Sequence, residues 1–95
     1  MKFEWDEKKN EINKIKHKVS FEEASTIFLN SFIEIPDTDH SINEERFVAF
    51  GISALRRELF ASYCYREYIN GEEIIRIISA RKATQNEKEE FFNER

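Results

Sequence analysis

Three basic residues lie within or directly after a run of isoleucines near the end of the chain. The run is Ile74-Ile75-Arg76-Ile77-Ile78, and Arg81 and Lys82 follow it. Clustered β-branched residues favour a β-strand covered on both faces, where an unpaired ion costs on the order of several kcal/mol. A guanidinium group matches the planar oxygens of a phosphate or a carboxylate. The pattern therefore predicts either a phosphate site at this strand or an arginine paired with a carboxylate of the chain.

A group suited to proton transfer lies in the most polar loop of the chain, between Asp37 and Asn43. His40 is the histidine predicted to lie in this loop, and imidazole exchanges protons readily near pH 7. Asp37, Asp39 and His40 together also suggest a metal site. Such a site needs three or four converging ligands, and no second histidine lies at ligand spacing. The loop therefore favours acid–base chemistry over metal binding.

The other histidine, His17, belongs to a predicted helix for which Asp6 is the N-cap. Apolar residues at helical spacing predict one face of this helix: Trp5, Ile12, Ile15 and Val19. A polar stripe runs beside them: Asp6, Asn10, Asn13 and His17. We expect the stripe to cap the helix, to hydrogen-bond to a neighbouring element or to face water. His17 is a rival to His40 for proton transfer, although a histidine in this setting is more often structural.

The composition is typical of one small domain spanning residues 1–95. Hydrophobic residues form 40% of the chain, enough for one two-layer core, and two Gly and one Pro argue against disorder. We find no apolar run long enough to cross a membrane and no recognisable secretion signal. The single cysteine, Cys64, excludes an internal disulfide and a Cys-based zinc cluster. We expect a protein of the reducing cytoplasm, with Cys64 buried.

The net charge of −4 has the wrong sign for an indiscriminate nucleic-acid binder. The arginines nevertheless gather in the middle and last predicted strands, whereas the lysines gather in the first helix and the tail. Arginine on strands favours a local phosphate site over a broad basic surface. A solvated face of mixed charge is the alternative.

Local sequence signals predict an α+β protein. Alternating apolar residues predict strands at 3–5, 32–35, 46–52, 55–66 and 72–80, and Asn70-Gly71 predicts a two-residue hairpin turn. Sequential hairpins of this kind give an antiparallel meander. Ser20 with Glu23 and Thr84 with Glu87 predict capping boxes that open a second and a last helix. Phe91 and Phe92 are the expected apolar anchors of the last helix.

Several blocks of the sequence, taken in order, carry a likeness to a known family. The blocks are Phe3-Glu4-Trp5-Asp6, Lys9-Asn10, Asn13, Lys16-His17, Val19-Ser20-Phe21-Glu22-Glu23-Ala24, His40-Ser41, Glu44-Glu45-Arg46-Phe47, Arg57, Tyr63-x-Tyr65-Arg66 and Ile75-Arg76-Ile77-Ile78-Ser79-Ala80-Arg81-Lys82-Ala83-Thr84. Together they resemble the BrnT family, the ribonuclease half of the BrnT/BrnA toxin–antitoxin systems. Lys18 departs from the usual Gly, and Arg56 stands where a small residue is more usual. If its φ is positive, lysine at 18 costs about 1 kcal/mol relative to glycine.

The resemblance implies a fold similar to that of the RelE group, with two N-terminal helices packed on an antiparallel meander sheet and a C-terminal helix. It also implies an mRNA-cleaving toxin that blocks translation, works without a metal or other cofactor, and is neutralised by a BrnA-like antitoxin. Operator DNA would then be bound only through the antitoxin. No membrane partner is expected.

In RNA cleavage of this kind the 2′-hydroxyl of the substrate attacks the adjacent phosphorus, so the protein supplies proton transfer and cations. We hypothesise that His40 is the acid or base and that Arg66, Arg76 and Arg81 hold the phosphate and stabilise the transition state. Further candidates for substrate binding are Arg46, Lys82, Glu44 and His17. The alternative is a non-catalytic binding module, or a toxin that has lost activity, whose arginine-rich face docks an acidic helical partner.

Overall fold

A five-stranded sheet with helices packed on it forms the body of the protein, which we describe from a computed structural model covering residues 1–92, with side chains up to Phe91. The predicted anchor Phe92 has its side chain outside this described part. The strands are β1 (Lys2–Glu4), β2 (Ile33–Pro36), β3 (Arg46–Ile52), β4 (Glu58–Glu67) and β5 (Glu73–Lys82). The helices are α1 (Glu7–His17), α2 (Phe21–Ser25), which continues as a 3-10 turn at Thr26–Leu29, and α3 (Gln85–Glu87), which continues as a π-helical turn at Lys88–Phe92. A further 3-10 turn spans Thr38–His40.

The sheet is mixed, which corrects the prediction of a purely antiparallel meander. Its strand order is β1-β5-β4-β3-β2. Strands β2 to β5 form the predicted antiparallel meander, but β1 pairs with β5 in parallel. The helices α1 and α2 separate β1 from β2 in the chain, so the N-terminal strand is free to reach the opposite edge and run parallel there.

One face of the sheet carries the helices and the main core. α1 and α2 pack on this face. The core joins helix residues to alternate strand residues: Val19, Phe21, Ala24, Ile27, Phe28, Ala49, Leu59, Ala61, Tyr63, Ile75, Ile77 and Ala80. The helix-bearing face is therefore closed to ligands.

The opposite face, which we call the open face, is covered at one end in the described part of the chain. There Phe91, after α3, stacks on Phe50 with ring centroids 4.1 Å apart, and Phe60 completes the cluster. The expectation that the isoleucine strand is covered on both faces is wrong, because Ile74 and Ile78 remain partly exposed on this face. On its open face, this part of β5 is therefore partly accessible to solvent.

Helix α1 turns two residues of its polar stripe inward, Asn10 and Asn13, where they hydrogen-bond to neighbouring elements as one of the stated expectations had it. The predicted apolar face is wrong for the two isoleucines of the helix. Asn10 and Asn13 are buried, whereas Ile12 and Ile15 are 61% and 75% exposed. Asn13 Nδ2 donates to the carbonyl of Ala80 at 2.8 Å, and Asn13 Oδ1 accepts from the Ala80 N–H at 3.2 Å. β1 pairs with β5 only from Ile74 to Arg76. Asn13 thus hydrogen-bonds to backbone groups of β5 that no neighbouring strand pairs. Leaving such buried groups without a hydrogen bond would cost free energy.

Two backbone features bear on the sequence predictions. Lys18 has φ of 61° and ends α1 in the left-handed conformation, which meets the condition stated for its cost relative to glycine. Arg56 has φ of 66°. The β4–β5 hairpin has a three-residue loop rather than the predicted two, since the N–H of Tyr68 donates to the carbonyl of Glu72. Gly71 supplies its positive φ of 81°.

One of the two predicted capping boxes is complete. At α3, Thr84 and Glu87 make both hydrogen bonds of the box. At α2, Ser20 accepts from the N–H of Glu23, but the Glu23 carboxylate instead accepts hydrogen bonds from Arg57 and Ser53. Arg57 holds the pKa of Glu23 below its usual range through this hydrogen bond. None of the helices in residues 1–92 is both long and apolar enough to span a membrane.

The inverted α1 gives a test that separates its two faces. Asn13→Ala should lower the free energy of unfolding by about 2–4 kcal/mol, because buried backbone groups of Val19 and Ala80 lose their partner. Ile12→Ala, one position away, should change it by less than about 0.5 kcal/mol. Urea unfolding followed by circular dichroism measures both. A larger loss for Ile12→Ala would contradict the orientation of the helix.

Candidate functional site

Four of the arginines singled out from the sequence lie on the open face of the sheet. In the strand register, Arg46 faces Cys64, and Cys64 faces Arg76 on its other side. Directly opposed residues share a face, and residues two apart on one strand do so too, which adds Arg66. The Arg81 guanidinium lies 4.1 Å from the centre of the Phe60 ring on the same face. Strand alternation alone therefore brings these guanidinium groups together.

A cleft of about 360 Å³ lies among three of the predicted residues: His40, Arg46 and Arg81. We call it the arginine cleft. Its remaining lining is Asp37, Val48, Phe60, Ser62, Ile78 and Ser79. Two larger cavities, of about 560 Å³ each, lie beside the hairpin loop at Ile69 and beside Arg56, but neither joins an arginine to a proton-transfer group.

The loop from 37 to 46 is closed on itself, and this closure positions His40. The Asp37 N–H donates to the carbonyl of Arg46 at 2.8 Å. The Ser41 hydroxyl donates to the Asp37 carbonyl at 2.7 Å and accepts from the Arg46 N–H at 2.9 Å. His40 Nδ1 lies 2.9 and 3.1 Å from the two carboxylate oxygens of Asp37. Nε2 is then the ring nitrogen left for a substrate.

Asp37 is a site residue that sequence reasoning missed as a partner of His40. The signal was present, because Asp37 precedes His40 by three residues and a 3-10 turn aligns side chains at that spacing. An aspartate on one ring nitrogen fixes the tautomer and orientation of the imidazole. The pair therefore belongs to the site as a unit.

Arg46 is the open-face arginine without a carboxylate partner in the described part of the chain. Its Nε is buried and makes no hydrogen bond within residues 1–92. Burying such a donor without a partner costs roughly 1–3 kcal/mol, so these groups usually have a partner in the functional state. The sequence placed Arg46 among the substrate-binding candidates, and in the structure its side chain lines the arginine cleft.

The other three arginines are held by carboxylates on the open face. Arg81 makes a bidentate contact with the Glu87 carboxylate, at 2.7 and 2.9 Å. The Arg66 guanidinium lies 3.3 Å from the Glu44 carboxylate. The Arg76 guanidinium lies 2.7 Å from the Glu4 carboxylate. The Arg81 guanidinium lowers the pKa of Glu87 to about 2. The carboxylate alternative stated for Arg76 is thus present, and a phosphate would have to displace Glu4, Glu44 or Glu87 to reach these groups.

Two predicted substrate-binding residues lie away from the cleft. Lys82 is paired in register with Leu59, which belongs to the core under the helices, so Lys82 points to the helix-bearing face. His17 is the last residue of α1, which packs on that same face. Glu44, in contrast, lines a cavity of about 280 Å³ next to the arginine cleft. We leave His17 and Lys82 out of the site.

Two other reactive residue types have structural roles. Burial raises the pKa of the Cys64 thiol, which keeps the thiol protonated and a poor nucleophile. Tyr63 and Tyr65 both donate to the carboxylate of Glu34, and burial raises the pKa of Tyr65 to about 12. In residues 1–92, no three His, Cys, Asp or Glu side chains converge as a metal site would require.

The fold and the cleft define a small α+β protein with α1 and α2 on one face of its sheet and a cleft lined by arginine and histidine on the other. Residues 5–87 match the family described as "Ribonuclease toxin, BrnT, of type II toxin-antitoxin system". The chain therefore belongs to the BrnT family of ribonuclease toxins, and such a toxin has an antitoxin as its partner.

A solved structure shares the fold. The crystal structure of the Brucella abortus ribonuclease toxin BrnT is similar with a TM-score of 0.64 and 24% sequence identity, over 90% of this chain and 99% of that chain. This similarity extends to the α+β architecture and its mixed sheet; the predicted likeness to the RelE group stays a prediction. A search of curated proteins gives no match.

The Arg81–Glu87 pair makes the stability of the protein depend on pH in a defined window. The pKa of Glu87 falls from 4.5 to about 2 on folding, so its contribution is present above pH 4.5 and lost as the pH falls through about 2. Glu87→Gln should therefore lower the unfolding free energy by roughly 2 kcal/mol at pH 7, after allowing for partial exposure of the pair. The difference from wild type should shrink between pH 4.5 and 2.

Urea unfolding at a series of pH values measures this difference. Glu90→Gln is the matched control, because its side chain is exposed. A Glu87→Gln deficit that stays constant across the acid range would contradict the ion pair as its source.

Proposed function

We propose that the protein cleaves RNA without a metal ion, at a phosphate that Arg46 and Arg81 hold beside His40. The observation that carries this proposal is the buried Nε of Arg46, which lacks a partner in the described residues and belongs to a side chain lining the arginine cleft. A guanidinium fork binds two phosphate oxygens at once. RNA supplies such a phosphate together with its own nucleophile, so the protein needs to supply only cations and proton transfer.

In the proposed reaction the 2′-oxygen attacks phosphorus and the bond from phosphorus to the 5′-oxygen breaks. The products are a 2′,3′-cyclic phosphate and a 5′-hydroxyl. Nε2 of His40 either accepts the proton of the 2′-hydroxyl or donates a proton to the leaving 5′-oxygen. Water carries out the other of these two proton transfers. Asp37 stabilises the imidazolium form that exists during this transfer. Arg46 and Arg81 offset the negative charge that develops on the phosphate oxygens.

Arg66 and Arg76 lie further along the open face, and we assign them to neighbouring phosphates of the same strand. Each would exchange a carboxylate, Glu44 or Glu4, for a phosphate oxygen. The Arg66–Glu44 pair is exposed and therefore weak, at about 0–1 kcal/mol, so its exchange costs little. The Arg76–Glu4 pair is partly buried and is the shorter of the two. Arg81 must likewise leave Glu87, with which it forms the stronger, two-pronged contact.

We further propose that cleavage blocks translation and that a BrnA-like antitoxin neutralises the toxin by covering the open face. The toxin would then be bound to operator DNA only through that antitoxin. The three carboxylates already on this face support an acidic partner, since an acidic helix could replace them one for one. The same observation favours the second candidate function, a non-catalytic module that only docks such a partner.

RNA cleavage by purified variants separates these possibilities. His40→Ala should slow cleavage by about 10²–10⁴-fold, as expected for loss of a proton-transfer group. Arg46→Ala should slow it by a similar factor, and Arg46→Lys should restore only part of the rate because lysine lacks the fork. Gel analysis of labelled RNA, with circular dichroism to show folding, measures the effect.

The comparison variants change residues that do not line the arginine cleft. His17→Ala tests the rival histidine, and Arg56→Gly removes an arginine that has no ion pair within residues 1–92 while keeping a residue that accepts positive φ. Both should cleave like wild type. Loss of activity in His17→Ala with none in His40→Ala would reject the proposed site, and a folded wild type that cleaves no RNA would favour the docking module.

A further inference from the structure

Two cavities meet at His40 and Arg46. They are the arginine cleft of about 360 Å³ and a cavity of about 280 Å³ beside Glu44, which we call the loop cavity. His40 and Arg46 line both, so these two side chains are the wall that the cavities share. Each cavity is near the lower end of the size range for small-ligand sites.

We propose that the two cavities hold the two nucleosides of one dinucleotide step of single-stranded RNA, with the scissile phosphate at the shared wall, and that Asn43 selects the base in the loop cavity. This inference rests on the proposed ribonuclease function and adds the size of the recognised unit and a specificity-determining residue. A phosphate at the wall places one nucleoside on either side of it by covalent geometry. The two cavities occupy those two positions.

The arginine cleft has the lining that a nucleoside needs. Val48, Phe60 and Ile78 give it apolar surface for a ring face. Ser62 and Ser79 are directly paired across β4 and β5, so their hydroxyls lie side by side. Neither hydroxyl makes a hydrogen bond within residues 1–92, and each can both donate and accept. The two hydroxyls can therefore hydrogen-bond to a sugar or to a base edge.

The loop cavity offers a different and more selective set of groups. Ile42 is 86% exposed at its rim, which supplies an apolar contact. The Asn43 side chain is exposed and makes no hydrogen bond in the described part of the chain. An amide presents a donor and an acceptor side by side, which matches the paired groups on a base edge. A carboxylate such as that of Glu44 only accepts hydrogen bonds, so Asn43 is the neighbouring side chain that can both donate to a base and accept from it.

Mapping of cleaved ends in a random RNA pool tests this assignment. Wild type should show a base preference on both sides of the cut. Asn43→Ala should reduce the preference on one side by about tenfold and leave the other side unchanged. Ser62→Ala with Ser79→Ala should alter the other side alone. Asn30→Ala, an exposed asparagine away from both cavities, should change neither.

A binding measurement keeps the inference separable from the catalytic proposal. A dinucleoside monophosphate that lacks the attacking 2′-hydroxyl should bind at least tenfold more tightly than either mononucleotide, and Asn43→Ala should remove most of that gain. If this holds while RNA is not cleaved, the two-nucleoside site stands and the ribonuclease proposal fails. If RNA is cleaved but Asn43→Ala keeps the wild-type preference and dinucleotide affinity, the inference is overturned.

Discussion

The helices α1 and α2 cover one face of the five-stranded sheet, and this constraint decides which residues of each strand lie on the open face. Alternation along a strand sends every second residue to the core and its neighbours to the open face. Arg46, Arg66 and Arg76 therefore share a surface because of strand alternation. The coverage itself depends on α1, whose Asn13 takes the place of a missing strand at β5. A helix that turned its isoleucines inward would leave the backbone of Ala80 unpaired.

On that surface the arginines differ in their partners. Arg66, Arg76 and Arg81 each pair with a carboxylate of the chain itself. Arg46 has no such partner within the described residues, although its Nε is buried. It lines the arginine cleft together with His40, whose Nδ1 contacts the Asp37 carboxylate. Under the proposed function, a guanidinium fork beside an oriented imidazole supplies the cation and the proton transfer that attack by the 2′-hydroxyl needs.

The sequence predicted what depends on neighbours in the chain. The antiparallel hairpins, the N-cap at Asp6 and the capping box at Thr84 all follow from residues a few positions apart. It did not predict the parallel pairing of β1, which joins residues more than seventy positions apart. The predicted buried face of α1 was also wrong, because the spacing of apolar residues does not show that Asn13 can hydrogen-bond to the unpaired edge of a strand. That His40, Arg46 and Arg81 line one cleft could likewise not be predicted, since the sequence alone does not bring β3 and β5 to one cleft.

The most direct test of the central claim observes the Arg46 guanidinium itself. Isotope-labelled protein would be titrated with the non-cleavable dinucleoside monophosphate while the arginine Nε–Hε signals are followed by nuclear magnetic resonance. We predict that the Arg46 signal shifts downfield and becomes protected from solvent exchange as the ligand saturates. An Arg46 signal that stays unmoved at saturation, while that of Arg76 responds, would show that the phosphate is held elsewhere on the sheet.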